Sequence, residues 1–178
     1  MCVESGAKNI SDSLLVVRKP DDKSTRMSTQ ERTTKNEPRT TACALCTQTG
    51  GEVLWDDGFA RVVLIGDADH PAYCRLILNA HKKEMTDLAE AERERLMKTV
   101  FVVERVLREL LTPEKINLAS FGNMVPHLHW HIIPRFADDP HYPNPVFGSR
   151  QRDGAHPLPA GFVRSMRQQL SGLLEKTP

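Results

Sequence analysis

Ten consecutive residues constrain this chain more than any others: Pro126-His127-Leu128-His129-Trp130-His131-Ile132-Ile133-Pro134-Arg135. Successive side chains of a β-strand point to opposite faces, so an extended run here puts His127, His129 and His131 on one face and Leu128, Trp130 and Ile132 on the other. A helix would scatter the histidines, because same-face neighbours there stand three or four residues apart. With a strand rise of about 3.3 Å, neighbouring imidazoles would lie about 6.6 Å apart, close enough to share one phosphate-sized ligand. A single histidine on a half-buried strand is ordinarily a hydrogen-bonded structural residue. Three in strict alternation call for chemistry, and the residues leave two kinds open. One is a zinc site with an open position that activates water. The other is covalent catalysis, in which a neutral imidazole attacks phosphorus while its neighbours orient it and handle the leaving group.

The rest of the chain reads as a frame for that strand. Glu52-Val53-Leu54-Trp55 and Ala60-Arg61-Val62-Val63-Leu64-Ile65 are β-rich runs around the turn Asp56-Asp57-Gly58-Phe59, a hairpin signal. A third run, Cys74 to Asn79, follows the turn-like segment Gly66 to Pro71. From about Thr86 to Leu111 the period becomes helical, with Leu96, Val100, Val103, Leu107 and Leu110 at three- and four-residue steps until Thr112-Pro113 stops the helix. Ile116 to Phe121 is a fourth strand, and the short Gly122-Asn123 connection makes it an antiparallel neighbour of the histidine strand. The fold class that follows is α+β: a mainly antiparallel sheet of about five strands, one long helix packed on it and a short C-terminal helix marked by Phe162, Met166, Leu170, Leu173 and Leu174. Between Arg135 and that helix lies a long proline-rich loop, a feature expected only where it covers a ligand or reaches across a dimer.

Composition narrows the class of protein. At 178 residues with 39% hydrophobic content the chain supports one domain with a real core. Residues 1–41 are polar and charged apart from Leu14-Leu15-Val16-Val17, so they read as a disordered extension, and Met27 within them is a candidate alternative start. Residues 42–140 then form the catalytic domain, completed by the loop and helix of 141–178. A formal charge of +1 gives no reason to expect nucleic-acid or membrane binding. No apolar run approaches the ~18 residues of a membrane span, and no signal-peptide core stands at the N-terminus, so the expected location is the cytoplasm. The cysteines, Cys2, Cys43, Cys46 and Cys74, are too few and too irregular for a secreted disulfide framework. Cys43 and Cys46 have the two-residue spacing that lets both sulfurs reach one tetrahedral ion, yet they are only half a site and read equally as two reduced thiols.

The segment His127-Leu128-His129-Trp130-His131-Ile132-Ile133 resembles the His-x-His-x-His-apolar-apolar signature of the histidine triad (HIT) family of nucleotide hydrolases and nucleotidyl transferases. The likeness extends through Gly122-Asn123-Met124-Val125, through Pro134-Arg135, and to the order of elements from about Cys43 to Arg135. It implies that His129 is the nucleophile whose Nε2 attacks the α-phosphorus to form a nucleotidyl-histidine. His131 donates hydrogen bonds to phosphate oxygens or the departing group, and His127 orients the strand or binds metal. It further implies an orienting amide at Asn123, where turn chemistry is the plain alternative, and a base and ribose pocket that includes Ile65 and Tyr73. A structural zinc on Cys43, Cys46, His81 and His127 would brace the site; the chemistry itself requires no cofactor. Expected partners are a purine nucleotide and a second copy of the chain. The substrates expected are nucleoside phosphoramidates or dinucleoside polyphosphates. The alternatives are a zinc-dependent hydrolase with the three histidines as ligands and a nucleotide-binding module without turnover. Asn123 stands where several branches of the family carry glutamine and Trp130 is bulkier than the usual aliphatic residue, so base preference and leaving group stay unread.

Overall fold

The computed structural model describes residues 42–175. The expectations for the extension 1–41, with Cys2, Leu14 to Val17 and Met27, lie outside the described residues.

A five-stranded, wholly antiparallel sheet forms the frame: β1 (Glu52–Asp56), β2 (Ala60–Leu64), β3 (Cys74–Leu78), β4 (Lys115–Ala119) and β5 (His129–Arg135), in the order β1-β2-β3-β5-β4. The β1–β2 hairpin closes as its turn residues dictate. Asp56 Oδ1 accepts the Gly58 N–H at 2.8 Å, Asp57 Oδ1 accepts those of Phe59 and Ala60, and Gly58 takes the positive φ of 81°. Before β1 the chain passes so close to β2 that a Cβ at Gly51 would sit 2.4 Å from the Leu64 carbonyl oxygen, leaving room only for glycine.

Alternation sorts the sheet into two faces. Val62, Leu64, Cys74, Leu76, Leu78 and Ile132 point to one side and meet Leu96, Val100, Val103 and Leu107 of the long helix α2 (Glu90–Leu111) in the main core. The C-terminal helix α3 (Phe162–Leu174) adds Phe162, Met166 and Leu170 to that core, at the period its sequence carries. Cys74 packs there as a small apolar side chain, and burial pushes its thiol pKa up to about 12.

The long helix begins later than its apolar period suggests. Met85–Asp87 is a separate 3-10 turn, and Leu88 and Ala89 are extended, with Leu88 turned into the core. Two carboxylates mark the break: Asp87 Oδ2 accepts the Glu84 N–H at 3.1 Å and Glu92 Oε2 the Ala89 N–H at 2.9 Å, each capping its own helical segment. At the other end Thr112 adopts a left-handed conformation and donates its N–H to the Arg108 carbonyl, and Pro113 follows.

The second face of the sheet carries no long helix. Its β2 and β3 part is covered by the short helix α1 (Ala44–Thr47) and the residues around it, with Cys43, Leu45, Cys46, Val63 and Ile77 in a small core of their own. The remainder of that face, on β3, β5 and β4, holds Arg75, His129, His131, Ile133, Asn117 and Ala119 by register.

Candidate active site and metal centre

The histidines do not form the uniform row that plain alternation predicts. Strand β5 starts at His129, so His127 lies ahead of it. The backbone bends there because Leu128 donates its N–H to the Lys82 carbonyl at 2.7 Å while the His127 N–H turns back to Val125. His127 is consequently withdrawn from the surface altogether, with no exposure, whereas His129 and His131 stay together on the open face with ring centroids 4.8 Å apart.

His127 faces a cluster of sulfur and nitrogen. Its Nδ1 is 3.4 Å from Cys43 Sγ and 3.5 Å from Cys46 Sγ, and His81 Nδ1 is 3.3 Å from Cys46 Sγ. All four residues are buried, and their four donor atoms lie within 4.8 Å of one another. A tetrahedral zinc with bonds of about 2.3 Å to sulfur and about 2.0–2.1 Å to nitrogen sets S···N edges of about 3.6 Å, so the cluster has the spacing and the donor types that zinc requires. The tautomer fits as well: His127 Nε2–H donates to the Leu78 carbonyl at 2.6 Å, which leaves the Nδ1 lone pair toward the cysteines. Arg61 clasps the segment that bears them. Its guanidinium donates to the carbonyls of Leu45, Gln48 and Thr49 and to Asn79 Oδ1, fastening α1 to β2 and β3.

His129 donates Nδ1–H to the carbonyl of His127, 2.6 Å away. Burial holds its pKa below the usual imidazole value, the carbonyl partly opposes that, and the Arg75 charge adds to it. The ring is therefore neutral near pH 7 with its lone pair on Nε2. Burial, then His129 and Arg75, lower the pKa of His131 to about 3. His131 Nδ1 is hydrogen-bonded to the Tyr73 hydroxyl.

The residues expected around a nucleotide are placed unevenly. Tyr73 is buried against His131, with ring centroids 5.6 Å apart. Ile65 sits half-buried one residue beyond β2, its N–H on the Tyr73 carbonyl, so register puts both residues on the histidine face. Asn123 is exposed, and among the described residues its side chain makes no hydrogen bond. Instead Ser120 Oγ donates to the His129 carbonyl at 2.8 Å.

Two aromatic residues rim the site: Phe121, read from the sequence only as the end of a strand, and Phe147, an apolar point of the long loop expected to cover a ligand. Phe121 lies 5.4 Å from the His131 ring and Phe147, from the long loop, 6.5 Å, and the two contact each other edge to face. Both are more than half exposed, and both line an open cleft of about 890 Å3 that runs along Asn117, Ile133 and Tyr142 but stops short of His129 and His131. Exposed phenylalanines beside a polar centre suit a stacking surface for a planar ligand. The loop that bears Phe147 is anchored by a buried ion pair: Arg135 Nε and Nη2 meet the two oxygens of Asp139 at 2.8 and 3.0 Å, with side-chain exposures of 3% and 1%. Burial would raise the Asp139 pKa, but Arg135 and the backbone N–H groups of His141, Phe136 and Tyr142 outweigh it and bring it to about 2.

Histidines at alternate positions 127, 129 and 131, leading into the inner strand of a five-stranded antiparallel sheet, mark the histidine triad class of protein. The HIT domain family model matches residues 47–138, and the chain belongs to the HIT family, the nucleotide-related hydrolases and transferases. Among solved structures it is similar to the histidine triad protein blr8122 of Bradyrhizobium japonicum, with 32% identity, a TM-score of 0.57, and coverage of 67% of this chain and 91% of that one. A histidine triad protein of Marinobacter aquaeolei is 28% identical with a TM-score of 0.56, covering 73% of this chain and 93% of its own. A zinc-bound histidine triad family protein of Mycobacterium smegmatis shares the fold at 18% identity and a TM-score of 0.55, covering 76% and 98%. No curated protein matches the chain significantly. Among the described residues no helix is long and apolar enough to cross a membrane.

Proposed function

We propose that the protein is a nucleotidyl transferase and hydrolase that cleaves nucleoside phosphoramidates or dinucleoside polyphosphates through a nucleotidyl-histidine on His129. The observation that carries this reading is the hydrogen bond from His129 Nδ1–H to the His127 carbonyl, which leaves Nε2 as a free, unprotonated nucleophile on the open face. In this reading Nε2 forms a bond to the α-phosphorus as the bond to the leaving group breaks. The positive charge gained by the ring is shared with the His127 carbonyl. Water then cleaves the P–N bond, releasing the nucleoside monophosphate and returning the imidazole.

Cys43, Cys46, His81 and His127 would hold a structural zinc, which supplies bracing rather than chemistry, since it spends both cysteines and His127 away from the substrate. The same geometry disfavours a hydrolase with the three histidines as metal ligands, because His127 Nδ1 turns to the cysteines and its Nε2 to Leu78. A purine nucleotide stacked on Phe121 and Phe147, a homodimer and a cytoplasmic location complete the reading, with residues 42–140 as the catalytic unit and 141–178 its completion.

The test is to quench the protein during turnover of radiolabelled adenosine 5′-phosphoramidate and map the label by mass spectrometry. Adenylyl on His129 is the expected result. Turnover with label on another residue, or with none trapped at any time, would refute the assignment.

A further inference from the structure

The site poses a problem of proton supply. A leaving amine or phosphate must take up a proton, and His131 stands where that proton would come from, beside the nucleophile on the same face. Yet burial keeps His131 neutral down to a pKa of about 3, so it cannot arrive as an imidazolium at ordinary pH. A neutral imidazole that gives up its Nε2 proton becomes an imidazolate unless Nδ1 gains a proton in the same step.

What lies behind Nδ1 answers this. Its partner is the Tyr73 hydroxyl. If His131 donated Nδ1–H to that oxygen, the phenol proton would need an acceptor of its own. Arg75, on the same face two residues along the chain, also acts on this hydroxyl, and a guanidinium only donates. With Tyr73 donating to Nδ1 and Arg75 facing the Tyr73 oxygen, His131 would carry its proton on Nε2, toward the open face.

Arg75 is itself an oddity of the chain. It occupies a central strand, pairs in register with His131, and has a buried Nε with no hydrogen-bond partner among the described residues. No carboxylate among the described residues pairs with it. Its guanidinium stands beside a phenol whose proton is otherwise hard to remove: burial raises the Tyr73 pKa, Arg75 pulls against it, and Asp67 adds a smaller rise.

We propose that Tyr73 and Arg75 are positioning residues that make His131 a general acid: Tyr73 O–H refills Nδ1 as His131 Nε2–H passes to the leaving group, and Arg75 holds the resulting phenolate. The step balances. The P–N or P–O bond breaks with its electron pair on the leaving group, which takes the Nε2 proton; the phenol proton moves to Nδ1; the negative charge rests on the Tyr73 oxygen against Arg75. In the second step the attacking water gives its proton back along the same path, and Tyr73 is restored.

This inference rests on the proposed nucleotidyl transfer, and leaving-group dependence separates the two. Two substrates with one adenylyl group are compared in single turnover, adenosine 5′-phosphoramidate, whose amine needs a proton, and the p-nitrophenyl ester of AMP, whose phenolate leaves without one. Tyr73→Phe is expected to slow the amide about 10²- to 10⁴-fold more than the ester, the span of general acid catalysis, any loss of adenylyl binding being common to both. Arg75→Gln should show the same selective loss, and Arg75→Lys should recover part of it. In the wild type, nitrogen NMR of His131 should show the Nε2–H tautomer, which Tyr73→Phe would release into a mixture. Equal losses on both substrates, an Nδ1–H tautomer, or no loss on the amide would overturn the relay while leaving the transfer reaction standing. A wild type that cleaves neither substrate would overturn both.

Discussion

His129 and His127 are joined by a hydrogen bond from a side chain to the backbone two residues before it, Nδ1–H to carbonyl at 2.6 Å. The bond couples the two halves of the site. The residue whose ring belongs to the cysteine cluster presents the carbonyl that selects the tautomer of the other. Whatever braces His127 therefore also aims His129.

His129→Ala removes the proposed nucleophile without touching that brace. Turnover of adenylyl substrates should fall on the order of 10³-fold or more. The unfolding free energy should stay within about 2 kcal/mol of wild type, since the ring lies at the edge of the core. Full activity in the variant, followed by product release in a quenched assay, would sink the covalent route.

Zinc content can be read directly. Purified protein should carry one zinc per chain by elemental analysis, and strong chelators should lower its melting temperature. Cys46→Ser should lose the metal and more than about 3 kcal/mol of stability. Activity should decline with it, because His127 would no longer hold its carbonyl in place. A melt indifferent to chelator would remove the metal centre from the account.

Stability should depend on pH through His131. In the folded protein this ring takes a proton only near pH 3, while in the unfolded chain it does so near its ordinary value of about 6.5. Between the two the unfolded state binds more protons. Stability therefore rises with pH across that window and is lost as pH falls below about 6.5, at up to about 1.4 kcal/mol per pH unit for this group. The lowered pKa values of His127, His129 and His70, each due first to burial, act in the same direction. Urea titrations at about pH 7.5 and pH 5 should show the decline, and His131→Gln should make it shallower; identical slopes in the two proteins would count against a buried neutral His131.

The loop anchor makes a separate claim. Asp139→Ala leaves Arg135 buried and unpaired and strips acceptors from three backbone N–H groups, so it should cost about 3–5 kcal/mol. Replacing both partners with apolar residues should recover only the share due to the unpaired guanidinium, since the three N–H groups still lack their acceptor. If Asp139→Ala unfolds within about 1 kcal/mol of wild type in urea, the ion pair does not hold the loop.

Much of this fold was legible along the chain because its periods are clean. Apolar, β-rich runs marked β2 and β3, two-residue alternation marked β5, three- and four-residue steps marked α2 and α3, and Asp56-Asp57-Gly58 marked a hairpin that closes through those side chains. The late start of α2 was not legible. It depends on Asp87 and Glu92 capping two segments, a choice the apolar stripe does not record. Arg61 and Arg75 did leave a signal, as single cations inside apolar strands, but what each holds lies on other segments. Phe147 left a partial one, as an apolar point in a long loop expected to cover a ligand, and Phe121 left none beyond the end of a strand, since an exposed aromatic looks the same whether or not a histidine lies beside it.

By itself the sequence determined the chemistry available and the faces on which it is carried: histidines against an apolar edge, a cysteine pair, and strands that pair with their neighbours. These are local properties, set by side-chain direction and residue type. Only the tertiary structure decided that His127 leaves the row to join Cys43, Cys46 and His81 while Tyr73 and Arg75 close behind His131. The reason is register. Which residues of β3 face which residues of β5 depends on pairing between distant segments and on a backbone bend before His129, and both are settled by the packing of the whole sheet.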